Sequence, residues 1–421
     1  MAHLFNDPAG FRTGVSTPST IGPQLVDFLY IKKALAEQAK EIVFSNMSST
    51  IEIPKNTGVA IKRYVDVLMI DDKNINDQGI DAAGQSGVNS NNPNGNLYGS
   101  SRDIGVISSR LPTLGEQGGR VNRVGFTRRT IQGTIQQYGF FYEFTEDALN
   151  FDTQTDLLQN MASQAVRGAV QLQEAMLQTD ILNAAGTIYV PGSGLANLAA
   201  QGVTPTSLKA AVDGSAIPTY GDFQKLSLAL DDLRVPGSTS MFTGTRYIDT
   251  KTIPSARFAF ISNALIPMLE KIKDYNNNPA WVPVEQYAAG GYTHPREVGK
   301  VGNFRFVVVP EALYWGGAGA TQDLTTQGST DGNYRGTTVG NATKFDVYPI
   351  LIIGDDSFTT LGFQSTGRDG KVRVYTKMPG MATADRSDPY GKTGFTSMQW
   401  WYGFLAQRPE RIAVMYTVAE I

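Results

Sequence analysis

The most regular pattern of apolar and polar positions lies over residues 151–185. Apolar residues recur there in pairs three and four positions apart, which places them along one face of an α-helix. Asp152 and Gly186 are residue types that commonly bracket a helix. The pattern therefore predicts one helix over residues 152–185, about 50 Å long at the usual rise per residue. The apolar pairs are Leu157/Leu158, Met161/Ala162, Ala165/Val166, Ala169/Val170, Met176/Leu177 and Ile181/Leu182.

Weaker helical periodicity predicts two further helices, over residues 24–44 and 220–234. Residues 261–272 have similar spacing, but Pro267 argues against an unbroken helix there. Before residue 24 the chain is rich in Gly, Pro and small polar residues. That composition predicts an extended arm that lies on a surface.

Two segments rich in β-branched and aromatic residues and free of Pro, 59–70 and 121–135, predict long strands. Between them, residues 71–105 contain seven Asn and six Gly with few large apolar side chains. This composition predicts a long polar excursion between two strands of a hairpin. Directly after the second strand, Thr145 is placed to cap a short helix that begins at Glu146.

Two uninterrupted apolar runs, 307–309 and 350–353, predict strands that are buried on both faces. Segments rich in Gly, Pro or Thr predict loops between the elements. The further predicted strands are 241–244, 298–311, 345–353 and 411–418, and the predicted loops are 191–202 and 316–341.

The composition excludes several kinds of chemistry. The chain of 421 residues has no Cys and two His, so it has no disulfide, thiolate metal site or cysteine nucleophile. Its 36 basic and 39 acidic residues give a net charge of −3, unlike a dedicated nucleic-acid-binding protein. Charged residues make up 18%, below the roughly 25% of average domains. This low charge indicates either a surface that largely contacts other protein or ordinary variation in composition.

Candidate motifs for catalysis and metal binding are incomplete. Residues 388–393 (DPYGKT) end like a nucleotide-binding P-loop but lack its first glycine. Residues 72–76 begin like a calcium loop, but Asp77 and Ala83 occupy the positions of its glycine and its bidentate glutamate. His294 lies in a Gly- and Pro-rich segment without a second His or Cys nearby. The sequence therefore predicts no catalytic residue, no metal site and no cofactor, and it contains no apolar stretch long enough to predict a membrane span.

Charged residues are unevenly distributed over the predicted hairpin. Basic residues cluster on its two strands and acidic residues lie at its tip. This distribution fits either a solvated hairpin or a contact in which neighbouring copies pair complementary charges. The candidate assembly contacts are Lys62, Arg63, Asp71, Asp72, Arg120, Arg123, Arg128 and Arg129.

Five sets of short motifs occur in order along the chain. They are 134–139 (TIQQYG) with 144–146 (FTE), 174–182 (EAMLQTDIL), 297–302 (EVGKVG) with 304–306 (FRF), 346–349 (DVYP), and 388–391 (DPYG) with 400–402 (WWY). Together they resemble the major capsid proteins of tailed bacteriophages, which have the Hong Kong 97-type fold. Within that family, the motifs are most similar to the branch of N4-like short-tailed phages.

The resemblance implies an α+β fold of the Hong Kong 97 type, in which the helix over 152–185 is the spine helix. It also implies an order of parts along the chain. These parts are an N-terminal arm and helix (1–50), an extended β-hairpin loop (51–135), a peripheral domain with the spine helix (136–215), an axial domain (216–359), and a return to the peripheral domain with C-terminal strands (360–421).

By the same resemblance, the chain is expected to be a non-enzymatic subunit that self-assembles into pentamers and hexamers of an icosahedral head around double-stranded DNA. Expected partners are other copies, a separate scaffolding protein, a portal and non-specifically contacted DNA, with a decoration protein left open and no membrane. The expected location is the virion, after assembly in the host cytoplasm. Two alternatives are an encapsulin-like bacterial compartment, distinguished by its cargo, and a β-rich hydrolytic enzyme, which would need clustered carboxylates or a usable His.

Overall fold

The computed structural model divides the chain into two compact units. The smaller consists of Met1–Glu41, Glu143–Arg167 and Lys377–Phe395, and the larger of Ile42–Tyr142, Gly168–Thr376 and Thr396–Ile421. The structure describes residues 43–47, 49–54, 58–66, 128–151, 157–192, 204–233, 235–242, 250–253, 257–287, 296–309, 311–324, 326, 329–363, 372–380, 384 and 388–421.

The described residues combine helices with a larger number of strands, as an α+β fold requires. The helices are α1 (Glu146–Phe151), α2 (Leu157–Asn183), α3 (Pro205–Ala210), α4 (Tyr220–Asp232), α5 (Ile266–Glu270) and α6 (Val284–Tyr287). The strands are β1 (Ser49–Ile53), β2 (Ala60–Asp66), β3 (Arg128–Thr145), β4 (Thr187–Tyr189), β5 (Thr239–Phe242), β6 (Thr250–Ile253), β7 (Arg257–Ile261), β8 (Val282–Pro283), β9 (Glu297–Val301), β10 (Phe304–Val308), β11 (Gly336–Val339), β12 (Ala342–Phe345), β13 (Tyr348–Ile353), β14 (Phe358–Phe363), β15 (Val372–Lys377), β16 (Thr393–Ala406) and β17 (Ile412–Thr417).

A seven-stranded sheet with the order β4-β17-β13-β7-β10-β9-β8 lies in the larger unit. Every residue of its interior strand β13 is buried. Ile350 and Ile352 belong to the core on one face, and Leu351 and Ile353 belong to the core on the other. The prediction of a strand buried on both faces is confirmed here, because successive side chains point to opposite faces.

Helices cover both faces of this sheet. Leu177 and Ile181 of α2 are in the core of one face, and Phe223 and Leu226 of α4 are in the core of the other. Helix α4 begins at the predicted residue because Thr219 and Asp222 form a capping box. The helix that the pattern predicted over 220–234 is thus confirmed, two residues shorter at its end.

A six-stranded sheet has the order β1-β14-β16-β3-β2, and β15 also pairs with β16. Strands β2 and β3 are antiparallel, which confirms the two predicted strands of the hairpin. Strand β3 is longer than predicted, because it continues beyond Ile135 through the aromatic segment to Thr145. The oxygen Oγ1 of Thr145 then accepts a hydrogen bond from Ala148 N at 3.3 Å and caps α1 as predicted.

Several predicted elements differ from the structure in their extent. Helix α2 has 27 described residues, about 40 Å of helix, and ends at Asn183; residues 152–156 lie outside the described part. Residues 298–311 form two strands, β9 and β10, because Gly302 with φ 58° makes the turn between them. Over 261–272, Ile261 ends strand β7 and helix α5 is five residues long.

Two predictions of irregular or helical structure also need correction. The segment 316–341 contains strand β11. Asp346 stabilises this segment by accepting hydrogen bonds from Gly317 N and Thr337 Oγ1, both at 2.7 Å. Of the predicted helix over 24–44, Val43 and Phe44 are described and are not helical. The rest of that helix and the excursion over 71–105 lie outside the described residues. The boundaries expected for arm, loop, peripheral and axial domains stay a prediction.

Candidate assembly surface

The paired part of β2 and β3, residues 60–66 and 128–134, is called the stem below. Its register runs from Ala60 opposite Thr134 to Asp66 opposite Arg128. At its base, Ile61 and Ile131 pack against a small core. The buried side chains of that core are Ile53, Ile135, Leu361 and Leu405.

At other positions of the stem, several described side chains are exposed. Lys62, Arg63 and Arg128 are exposed, and Tyr64 is 61% exposed. The guanidinium carbon of Arg128 lies 5.2 Å from the centre of the Tyr64 ring, a cation–π contact. Arginine and tyrosine are among the residues that contribute most to protein interfaces, so this surface has the composition of a contact site.

The structure brings together part of the predicted set of assembly residues. Lys62, Arg63 and Arg128 lie on the stem, and Arg129 pairs with Val65 through its backbone. The other predicted residues lie outside the described part of the chain: Asp71, Asp72, Arg120 and Arg123. The pairing of an acidic tip with a basic stem therefore stays a prediction.

Sequence reasoning missed the aromatic side chains of this region. Tyr64 lies on the stem, while Phe140 and Phe141 lie on the second half of β3 and are 36% and 64% exposed. The density of aromatic residues after residue 136 was visible in the sequence. The exposure of these aromatic side chains cannot be predicted from the sequence, because the alternation of residues along a strand does not say which face a neighbouring element covers.

The described residues offer little for catalysis or metal binding. Among them, no group of three or more His, Cys, Asp or Glu side chains could hold a metal ion. The P-loop-like motif is a closed turn, because the Asp388 carboxylate accepts hydrogen bonds from Thr393 N at 2.8 Å and Thr393 Oγ1 at 2.6 Å. Both histidines lie outside the described residues. No helix in the described part of the chain is long and apolar enough to cross a membrane.

Hydrogen bonds between phenols and carboxylates that are buried or half-buried connect elements of the fold. Burial, followed by a hydrogen bond of 2.6 Å to Asp180 on α2, raises the pKa of Tyr402 well above its usual value. Burial and a 2.6 Å hydrogen bond to Asp222 do the same for the pKa of Tyr189. Phenols with raised pKa values stay neutral donors at physiological pH, so these hydrogen bonds connect the elements there.

A second carboxylate of helix α2 fixes the chain just before β1. Glu174 accepts hydrogen bonds from Phe44 N at 3.0 Å and Ser45 N at 3.2 Å. The short turn Ser45–Met47 and strand β1 follow directly. Helix α2 thereby positions the segment that leads through β1 to the stem.

Known proteins resemble the chain in both sequence and fold. A family model described as phage capsid protein matches residues 127–415. The major capsid protein of Pseudomonas phage KPP21 is 42% identical over 417 residues, which cover 99% of this chain and 97% of that relative. The capsid structure of Ralstonia phage GP4 covers 96% of both chains with a TM-score of 0.51 and 10% identity.

These similarities confirm the expected fold of the Hong Kong 97 type, whereas the finer assignment to the N4-like branch stays a prediction. The family model matches more than half of the chain, and the full-length identity to a capsid protein is well above chance similarity. The chain belongs to the family of phage capsid proteins.

Proposed function

We propose that this phage shell protein assembles into pentamers and hexamers of an icosahedral head around double-stranded DNA, and that the stem contacts a neighbouring copy. The observation that carries the proposal is the exposure of Tyr64, Lys62 and Arg63 on a two-stranded stem. A two-stranded hairpin is marginally stable alone in water. A neighbouring copy would supply the surface on which the stem lies.

Closed rings of identical copies need a contact between two different surfaces of the same chain. The stem supplies one such surface, and its exposed cations favour a partner surface that is polar or acidic. Each contact in a shell can be modest, because many simultaneous contacts raise the stability of the whole assembly. The proposed mechanism is therefore geometric and involves no reaction.

The proposal includes further partners that a phage head requires. These are a separate scaffolding protein, a portal and packaged DNA, while a decoration protein remains an open alternative. Confinement of DNA needs no base-specific contact, which fits a net charge of −3. The incomplete motifs support a non-enzymatic role. The 42% identity to a phage major capsid protein favours a head over an encapsulin-like compartment, and genomic DNA inside purified particles would distinguish the two.

The test reverses two charges on the stem. We expect the double variant Lys62→Glu, Arg63→Glu to fold normally, because substitutions of exposed side chains change stability by about 0.5 kcal/mol or less. Closed shells should fall at least tenfold in sedimentation profiles and electron micrographs. A matched control, Lys225→Glu with Lys273→Glu, reverses two exposed cations elsewhere in the larger unit and should leave the yield of shells intact.

Normal shells from the stem variant would contradict the proposed contact. Equal loss of shells in the stem variant and in the control would also contradict it, because assembly would then depend on net charge rather than on the stem. Thermal unfolding of both variants, measured on unassembled subunits, separates assembly from folding.

A further inference from the structure

Strand β3 has two halves with different neighbours. Its first seven residues pair with β2, and the last hydrogen bond between the two segments runs from Ile135 N to Val59 O at 3.0 Å. Beyond Ile135, β3 still lies beside β16. Among the described strands, none pairs with the opposite edge of residues 136–141. These residues are called the open edge below.

The register identifies the backbone groups that face outward. Ile135 directs its N–H toward the side of β2, and residues two apart in a strand point to the same side. The N–H and C=O groups of Gln137, Gly139 and Phe141 therefore face the open edge. Side-chain contacts keep this alternation, since Gln137 bonds Gln399 at 2.8 Å on one face and Tyr138 stacks with Trp400 on the other.

The open edge lacks the features that usually prevent strands from pairing with other chains. Residues 136–141 (QQYGFF) contain no charged residue and no proline, the two devices that most often protect an edge. Phe140 and Phe141 point to opposite faces of the strand, and both are exposed. A shallow uncharged groove follows the same residues and is lined by Gln137, Tyr138, Phe140, Phe141, Ser397 and Gln399.

Because phenylalanines are exposed on both faces of the strand, they indicate which kind of element binds there. A helix or a domain that docks on one face covers one of the two rings, whereas an added strand lies along the edge and contacts both. The larger unit carries a suitable strand in β2, whose seven residues are enough to cover the six residues of the open edge. Strand β2 is terminal in its sheet among the described strands, and its Tyr64 is exposed.

We infer that the open edge of one copy binds β2 of the next copy, so that the two six-stranded sheets join edge to edge. The inference rests on the proposed function and names the surface that receives the stem. Tyr64 then lies beside Phe141 of its neighbour, and aromatic cross-strand pairs stabilise such contacts. Because the two edges differ, the contact runs head to tail, which is the kind of contact that a ring of five or six copies requires.

The absence of cysteine in the native chain permits a direct test. Tyr64→Cys is combined with Phe141→Cys in one variant and with Gln137→Cys in another, to sample two registers. Tyr64 pairs with Thr130, about 36 Å along β3 from Phe141 at the usual rise. A disulfide needs Cα atoms within about 7 Å, so any bond formed joins two copies.

After mild oxidation of assembled particles, we expect a non-reducing gel ladder that extends to five and six copies. Tyr64→Cys with Leu228→Cys is the matched control, since Leu228 is as exposed as Phe141, at 64%, but lies on α4. The ladder should be at least tenfold stronger than in this control. Particles without a ladder above the control at either register would overturn the inference and leave the proposed assembly intact.

Hydrogen exchange of the unmodified protein gives a second measurement. We expect the amides of Gln137, Gly139 and Phe141 to exchange at least about 100-fold more slowly in shells than in unassembled subunits. Equal exchange in both states would overturn the inference, as would protection already present in the subunit. Failure of the unmodified chain to form any shell would instead contradict the proposed function.

Discussion

The two large sheets of this capsid protein differ in how far their strands are buried. In the seven-stranded sheet, β13 has all of its residues buried between two cores. In the six-stranded sheet, the stem rests on a core of four buried side chains, and its outer residues Lys62, Arg63 and Tyr64 are exposed. Burial on both faces stabilises the fold of one subunit, whereas a strand with exposed faces and edges can stabilise an assembly.

This contrast separates residues that fold the chain from residues that join copies. Hydrophobic burial supplies roughly 25 cal/mol for each Å² removed from water, and the seven-stranded sheet gains it within a single chain. Under the proposed assembly, the stem and the open edge would gain it from a second chain. We therefore expect mutations in the seven-stranded sheet to change the stability of the subunit, and mutations of the exposed residues of the six-stranded sheet to change assembly.

The largest expected effect comes from a charge in the seven-stranded sheet. Leu351 is 1% exposed, and an unpaired buried carboxylate costs several kcal/mol against a total stability of about 5 to 15 kcal/mol. We expect Leu351→Asp to be insoluble. Ile61→Asp, at the half-buried base of the stem, should remain soluble with a lower melting temperature. A soluble Leu351→Asp subunit with normal thermal unfolding would contradict the difference in burial between the two sheets.

A smaller effect is expected from a single methyl group. A Cβ at Gly299 of β9 would lie 2.3 Å from Cζ2 of Trp281, whereas at Gly362 of β14 the nearest atom, Cγ2 of Thr50, would be 3.7 Å away. Gly299→Ala should lower the free energy of unfolding by about 1 to 3 kcal/mol. Gly362→Ala should raise it by about 0.4 to 1 kcal/mol. Urea unfolding of subunits measures both, and equal values would contradict the difference in packing at these two positions.

An effect of similar size to that of Gly362→Ala concerns Tyr402, which joins the six-stranded sheet to α2 through Asp180. Burial raises the pKa of Tyr402 above its unfolded value near 10, so its contribution is present below pH 10 and declines as the pH rises further. Tyr402→Phe should lose about 1 kcal/mol at pH 7. Above pH 10, the free energy of unfolding should fall less steeply for the variant than for the native chain. The two slopes should differ by about 1.4 kcal/mol per pH unit. Parallel curves of stability against pH would contradict this.

The sequence by itself determined the elements whose pattern reflects burial within the chain. The helix that contains Leu177 and Ile181, the helix capped by Thr219 and the strand over 350–353 follow from periodicity and end signals. Ordered motifs in the sequence also identify the capsid family. These features are local or periodic, and they are readable because one face of each element is buried by the same chain.

Tertiary structure alone decided where β3 ends, which strands neighbour it and which of its faces are covered. Phe141 and Leu351 are both apolar residues in predicted or observed strands, yet one is 64% exposed and the other 1%. Their difference depends on segments distant in sequence, namely the two cores around β13 and the start of β2 at Ala60. Hydrophobic pattern records that a side chain avoids water, but not whether its own chain or a neighbouring copy covers it.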